Sequence, residues 1–127
     1  AAIQIGVPKR IIVIDLAKDS EEKKPMYLIN PEIISKSNKD ATYEEGCLSV
    51  PNQFAEIDRP EKCHIKFLDY NGKEQSLDAK GLLATCIQHE MDHLEGILFI
   101  DYLSKLKKSM IIKKLSKQKK SIERIAF

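Results

Sequence analysis

The sequence predicts an α+β fold in which antiparallel β-sheets wrap a central helix carrying an H-E-x-x-H segment, followed by a C-terminal basic amphipathic helix. Three observations predict it: Ile-rich and alternating runs precede residue 81, a helical apolar stripe follows Gly81, and Lys/Arg crowd the chain after residue 104. A length of 127 residues with 43% hydrophobic content suits one compact domain spanning 1–127. Charged residues make up 31%, with 21 basic against 19 acidic, which excludes wholesale disorder and a surface coated for nucleic acid.

The elements follow in order. The chain opens Ala1-Ala2-Ile3-Gln4 with neither Met nor a basic leader, and reads as a domain cut at its front edge. Arg10 to Asp15 and Met26 to Ile34 are strands by composition, separated by a charged loop ending at Pro25. From Cys63 to Phe67 the residues alternate, with Cys63, Ile65 and Phe67 on one face, and Asn71-Gly72 supplies a hairpin turn. Beyond Gly81 the stripe Leu82, Leu83, Cys86, Ile87, Met91 and Leu94 marks a helix that Gly96 is placed to cap. Residues 105–127 carry nine Lys/Arg and one acid, net +8, against −6 for the first 104. Leu103, Leu106, Met110 and Leu115 recur there at helical spacing, so this tail reads as an amphipathic helix with a cationic face. Apolar runs such as Ile11–Ile14 are far shorter than the roughly 20 residues that span a bilayer, so no membrane association is expected. Three irregularly spaced cysteines argue against a disulfide framework and for a reducing, cytoplasmic home.

The chemistry concentrates in Gln88-His89-Glu90-Met91-Asp92-His93-Leu94-Glu95-Gly96. With three His and eleven Glu, chance places H-E-x-x-H in such a chain roughly 0.006 times. Histidines four apart share a helix face, so two imidazoles reach one metal ion. Glu90 lies beside them, where a carboxylate can take a proton from water and return it to a leaving group. A third ligand decides the class of hydrolase. The long zinc-protease pattern offers Phe99 where its third histidine belongs, and the only downstream glutamates are Glu95, too close, and Glu123, in the basic tail. Cysteine is then the candidate. Cys86 stands about 10.5 Å along the helix axis from His93, too far to converge with both histidines. Cys63 falls on the inward face of the hairpin, where a thiol is a small core hydrophobe. Cys47, between a permissive Gly46 and the strand-breaking Pro51, is the candidate that spacing favours.

In these residues the sequence resembles the peptide deformylase family. Its three motifs correspond to Ala1-Ala2-Ile3-Gln4, Glu45-Gly46-Cys47-Leu48-Ser49 and the segment from Gln88 to Gly96, and the likeness runs over essentially the whole chain. The first family motif, G-x-G-x-A-A-x-Q, begins ahead of Ala1. The resemblance implies that Cys47, His89 and His93 bind one divalent metal ion, Fe²⁺ in the cell with Zn²⁺, Ni²⁺ or Co²⁺ as other occupants, and that Glu90 is the general acid/base. It further implies that the Gln4 side-chain amide and the Leu48 backbone N–H stabilise an oxyanion, and that Leu82 and Cys86, one turn apart, line a methionine pocket. The reaction implied is hydrolysis of the N-formyl group from the starting methionine of nascent polypeptides, releasing formate, by a monomer in the bacterial cytoplasm or an organelle of bacterial origin. Asp92 has two readings, an orienter of the site or an exposed helix carboxylate. Glu45 and Arg59 are expected to pair and brace the cysteine loop, and residues 105–127 to dock the enzyme on the ribosome through RNA phosphates. Two other functions stay open on the residues alone: a zinc endopeptidase of the H-E-x-x-H type, and a noncatalytic metal-stapled or nucleic-acid-binding module.

Overall fold

The computed structural model describes residues 1–16, 22–47 and 49–125, with side chains through 117. A short 3₁₀ turn, Ala2–Ile5, is followed by strands β1 (Ile11–Ile14), β2 (Met26–Lys36), β3 (Asp40–Cys47), β4 (Val50–Pro60), β5 (Lys62–Leu68) and β6 (Glu74–Lys80). Helix α1 (Gly81–Leu94), a second 3₁₀ turn (Phe99–Tyr102) and helix α2 (Lys105–Ile125) complete the chain, an α+β arrangement. β1, β2, β5 and β6 form one antiparallel sheet in that order, and β3 and β4 form a second. The chain divides into two compact units, one of Ala1–Tyr43 with Asp58–Ile97, the other of Glu44–Ile57 with Leu98–Phe127.

In the first unit the period-2 residues do what alternation dictates. Ile12 and Ile14 of β1, Leu28 of β2, Cys63 and Ile65 of β5 and Ala79 of β6 turn to one face and bury with Ala84 and Ile87 of α1. Cys63 is thereby a core residue. Within β2 the register with β5 shifts between Ile29 and Glu32. Asn30, at φ +48°, and Pro31, which has no N–H to offer the ladder, occupy the break. The β5–β6 connection is built by Asp69, whose carboxylate accepts the N–H groups of Asn71 and Lys73. Only Gly72, at φ +77°, takes the left-handed conformation, so the turn is a type I turn closed by a left-handed glycine rather than the I′ turn an Asn-Gly pair often forms.

In the second unit Val50, Ile57, Phe99, Ile100 and Ile111 form the core, with Leu103 and Leu115 packed against it. Ser104 starts α2: its carbonyl accepts the Lys108 N–H and its hydroxyl the Lys107 N–H. The apolar stripe of α2 differs from the expected one. Ile111 is the buried position, while Leu106 is 72% and Met110 50% exposed. The Leu106–Met110 spacing is helical, but the core needs the face one residue further round.

Candidate metal centre

α1 begins at Gly81, which adopts φ +62° and donates its N–H to the Glu61 carbonyl. It ends in a Schellman motif: Gly96, at φ +74°, donates to the His93 carbonyl and Ile97 to the Asp92 carbonyl. Gly96 thus ends the helix as expected, with Glu95 as the capping residue itself. The buried residues of α1 are Ala84, Thr85, Ile87, Gln88, His89 and His93, while Leu82 is exposed and Leu83, Cys86, Met91 and Leu94 are half-buried. The helix therefore hides a polar set that the hydrophobic stripe does not reveal.

Two polar residues of this helix have structural partners. Gln88 Nε2 donates to the Pro60 carbonyl at 2.9 Å and to the Ala84 carbonyl at 3.1 Å. Arg59 Nη1 donates to Asp92 Oδ2 at 2.7 Å, with Arg59 only 3% exposed. Adjacent residues at the end of β4 are thus tied to α1 at positions four apart, one turn of helix. Asp92 is accordingly not a solvated surface carboxylate. Glu45, the expected partner of Arg59, is buried. Hydrophobic patterning does not reveal this latch, although an arginine at an inward position of β4 is the signal that a carboxylate must face it.

His89 and His93 pack edge to face, with ring centroids 4.7 Å apart. Burial pushes the His93 imidazole pKa down, against the opposing pull of Glu90, so the neutral ligand form is favoured. At the end of β3, Gly46 has no side chain for a clear reason: a Cβ there would lie 2.5 Å from two ring carbons of Phe54. Cys47 Sγ accepts the Ser49 N–H at 3.4 Å. Among the described residues, Cys47, His89 and His93 form a group whose possible ligand atoms all lie within 4.8 Å of one another. Two imidazoles and a thiolate are a donor set suited to a divalent transition metal.

Around Glu90, its Oε2 lies 2.8 Å from the Ala1 nitrogen, and Gln4 Oε1 lies 2.7 Å from the same atom. Leu48 lies outside the described residues. Leu82 and Cys86 sit one turn apart on α1, and neither is a member of the Cys/His group.

Two histidines four apart on a helix with a glutamate after the first, together with a separate cysteine donor, define a class, the metal-dependent hydrolases. The sequence pattern of the polypeptide deformylase family matches residues 1–109. A peptide deformylase of Pelagibacter ubique is 71% identical over 119 residues, covering 94% of this chain and 69% of its own. That of Rhizobium meliloti is 54% identical over 121 residues, covering 95% and 70%. The crystal structure of peptide deformylase from Ehrlichia chaffeensis superposes with a TM-score of 0.88 at 42% identity, over 95% of this chain and 73% of that one. A second structure from that organism, in complex with actinonin, gives 0.86 at 44% identity, over 93% and 71%. The chain belongs to the polypeptide deformylase family.

Proposed function

We propose that this chain removes the N-formyl group from the N-terminal methionine of nascent polypeptides and releases formate. The carrying observation is a Cys47, His89 and His93 group in a chain whose family is the polypeptide deformylases. In our reading these three residues hold one divalent ion, Fe²⁺ in the cell, with Zn²⁺, Ni²⁺ and Co²⁺ also compatible with the donor set. When bound, the ion supplies Lewis-acid activation of the formyl carbonyl and of the attacking water.

The residues of the chain carry the rest. Glu90 takes a proton from water as the oxygen adds to the formyl carbon, and gives it to the methionine nitrogen as the C–N bond breaks. The Gln4 amide and the Leu48 N–H donate to the oxygen on which negative charge develops. Leu82 and Cys86 line the pocket for the methionine side chain, a role that suits the exposed apolar surface of Leu82 at the start of α1. In this proposal the sheets surround α1, residues 1–127 act as one metallohydrolase domain with its basic 105–127 helix, and the enzyme works as a monomer in the bacterial cytoplasm or a bacterially derived organelle. Among the described residues no helix is long and apolar enough to cross a membrane.

The test is Glu90→Gln. It should retain one bound metal ion and a folded chain while formate release from formyl-Met-Ala falls about 10²- to 10⁴-fold. Turnover close to wild type would remove Glu90 from the reaction. An unformylated peptide with internal bonds serves as the second substrate, and its cleavage in place of formate release would identify an endopeptidase.

A further inference from the structure

The β5–β6 turn carries a dipeptide with a chemistry of its own. Of the asparagines in the chain, Asn30, Asn38, Asn52 and Asn71, only Asn71 precedes a glycine. The backbone nitrogen that follows an asparagine can attack its side chain, and glycine, with no side chain, leaves that nitrogen open to approach. Asn71 and Gly72 are both exposed. In the step concerned, the Gly72 nitrogen bonds to Asn71 Cγ, the Cγ–Nδ2 bond breaks, and ammonia leaves with the proton from Gly72. The cyclic imide is then opened by water at either carbonyl, leaving aspartate or isoaspartate at position 71.

The folded turn opposes this reaction. Ring closure needs Asn71 ψ rotated until the Gly72 nitrogen eclipses Cβ, whereas Asn71 holds the third position of a type I turn, where ψ is about 0°. The Gly72 N–H is donated to the Asp69 carbonyl at 2.9 Å, which keeps the nucleophile in the turn. Asp69 clamps that geometry through its side chain. Oδ1 accepts the Asn71 N–H at 2.9 Å and the Lys73 N–H at 3.0 Å, and Oδ2 accepts Gln75 Nε2 at 3.0 Å. The Asp69 N–H is donated in turn to the Lys73 carbonyl at 2.9 Å. Hydrogen bonds to a carboxylate are stronger than those between neutral groups, so the clamp resists opening.

We propose that Asn71 is a deamidation site that the Asp69 carboxylate keeps closed, so that isoaspartate forms only when the β5–β6 turn opens locally. The rate in the protein is then the rate in a free peptide multiplied by the fraction of turns open. The product reinforces the opening, because isoaspartate adds a backbone carbon between the two N–H groups that Asp69 Oδ1 accepts. The experiment incubates the metal-loaded full chain for weeks near neutral pH beside a free peptide spanning Phe67–Glu74. After proteolysis, the fragment containing Asn71 is read for a gain of one mass unit and for isoaspartate. Wild type is compared with Asp69→Ala and with Asp69→Ser, whose hydroxyl can still accept one of the two N–H groups; circular dichroism checks folding, and Asp69→Ser decides alone if Asp69→Ala unfolds. Wild type should deamidate at least about tenfold more slowly than the peptide, with Asp69→Ala recovering most of that factor and Asp69→Ser falling between. Wild type reacting at the peptide's rate overturns the proposal. So does equally slow reaction in wild type and the folded variants, which would assign the protection to the strands rather than to Asp69.

Discussion

Two cysteines of this chain sit in different surroundings. Cys63 is buried in the sheet core, where desolvation pushes its thiol pKa up more than the nearby Lys36 pulls it down. A neutral core thiol is a poor metal ligand, because the thiolate is the binding form. Cys47 is half-buried at the end of β3, its sulfur accepts the Ser49 N–H, and it groups with His89 and His93. Cys47→Ala should therefore abolish stoichiometric metal binding, whereas Cys63→Ala should keep the metal and lose packing of about 1 to 2 kcal/mol. Metal analysis and thermal melts of the two variants check this, and metal loss in Cys63→Ala would reverse the assignment. Much of the candidate centre is legible in the sequence at this scale, since H-E-x-x-H and a cysteine between Gly and Pro announce their chemistry by residue type. The supporting residues are not. Gln88 and Asp92 are held by partners on β4, about 30 positions away, and no local pattern carries such a relation. Because Asp92 sits one residue before His93 and is held by Arg59, Asp92→Asn should weaken metal affinity by roughly 10- to 100-fold, as removal of an orienting partner does elsewhere. A chelator competition titration measures it, and unchanged affinity would leave the Arg59–Asp92 pair a purely structural tie.

The elements differ in how plainly the sequence states them. β1, β2, β5, β6 and α1 follow from Ile-rich runs, alternation and a helical stripe. β3 and β4 do not, for a physical reason: the inward positions of β4 are Gln53, Ala55, Ile57 and Arg59, and Pro51, Asn52 and Pro60 interrupt it. Where polar residues face inward, period-2 hydrophobicity vanishes even though the strand is present. The same substitution of polar for apolar interior hides Gln88, His89 and His93 in α1. The β5–β6 hairpin, by contrast, is announced by Asn71-Gly72 but organised by Asp69. The Lys73 N–H, then Gln75 and Asn71, hold the Asp69 carboxyl pKa below its ordinary value. A carboxylate depressed in the folded state contributes stability that is fully present above its unfolded pKa of about 3.9 and is lost as pH falls through the folded value. Asp69→Asn should accordingly lower the melting temperature more at pH 6 than at pH 2.5. Equal losses at both pH values would mean that the charge of Asp69 adds nothing to its hydrogen bonds.

Across the whole molecule, charge is segregated: net +8 in residues 105–127 and −6 in the first 104. Hydrolysis of a formyl group has no need of a cationic tail. A substrate emerging from a particle rich in RNA phosphate supplies one, because clustered lysines gain affinity by releasing counterions from phosphate. Docking of the tail to the ribosome is our proposal, and the structure changes how it must be tested. Truncation after Leu106 would remove Ile111, which is buried in the second unit's core, and Leu115, which packs against it, so weaker binding could report lost folding. Lys113, Lys114 and Lys117 are exposed on α2, and the side chains from 118 onward lie outside the described residues. Replacing those three lysines with glutamine keeps the apolar anchor and removes only charge. The triple variant should melt within a few degrees of wild type and turn over formyl-Met-Ala normally. It should cosediment with ribosomes more weakly at low salt, with a shallower salt dependence, since each lysine withdrawn from a phosphate lowers the slope by roughly one. Cosedimentation equal to wild type at every salt concentration would show that these lysines do no more than keep the face of α2 in water.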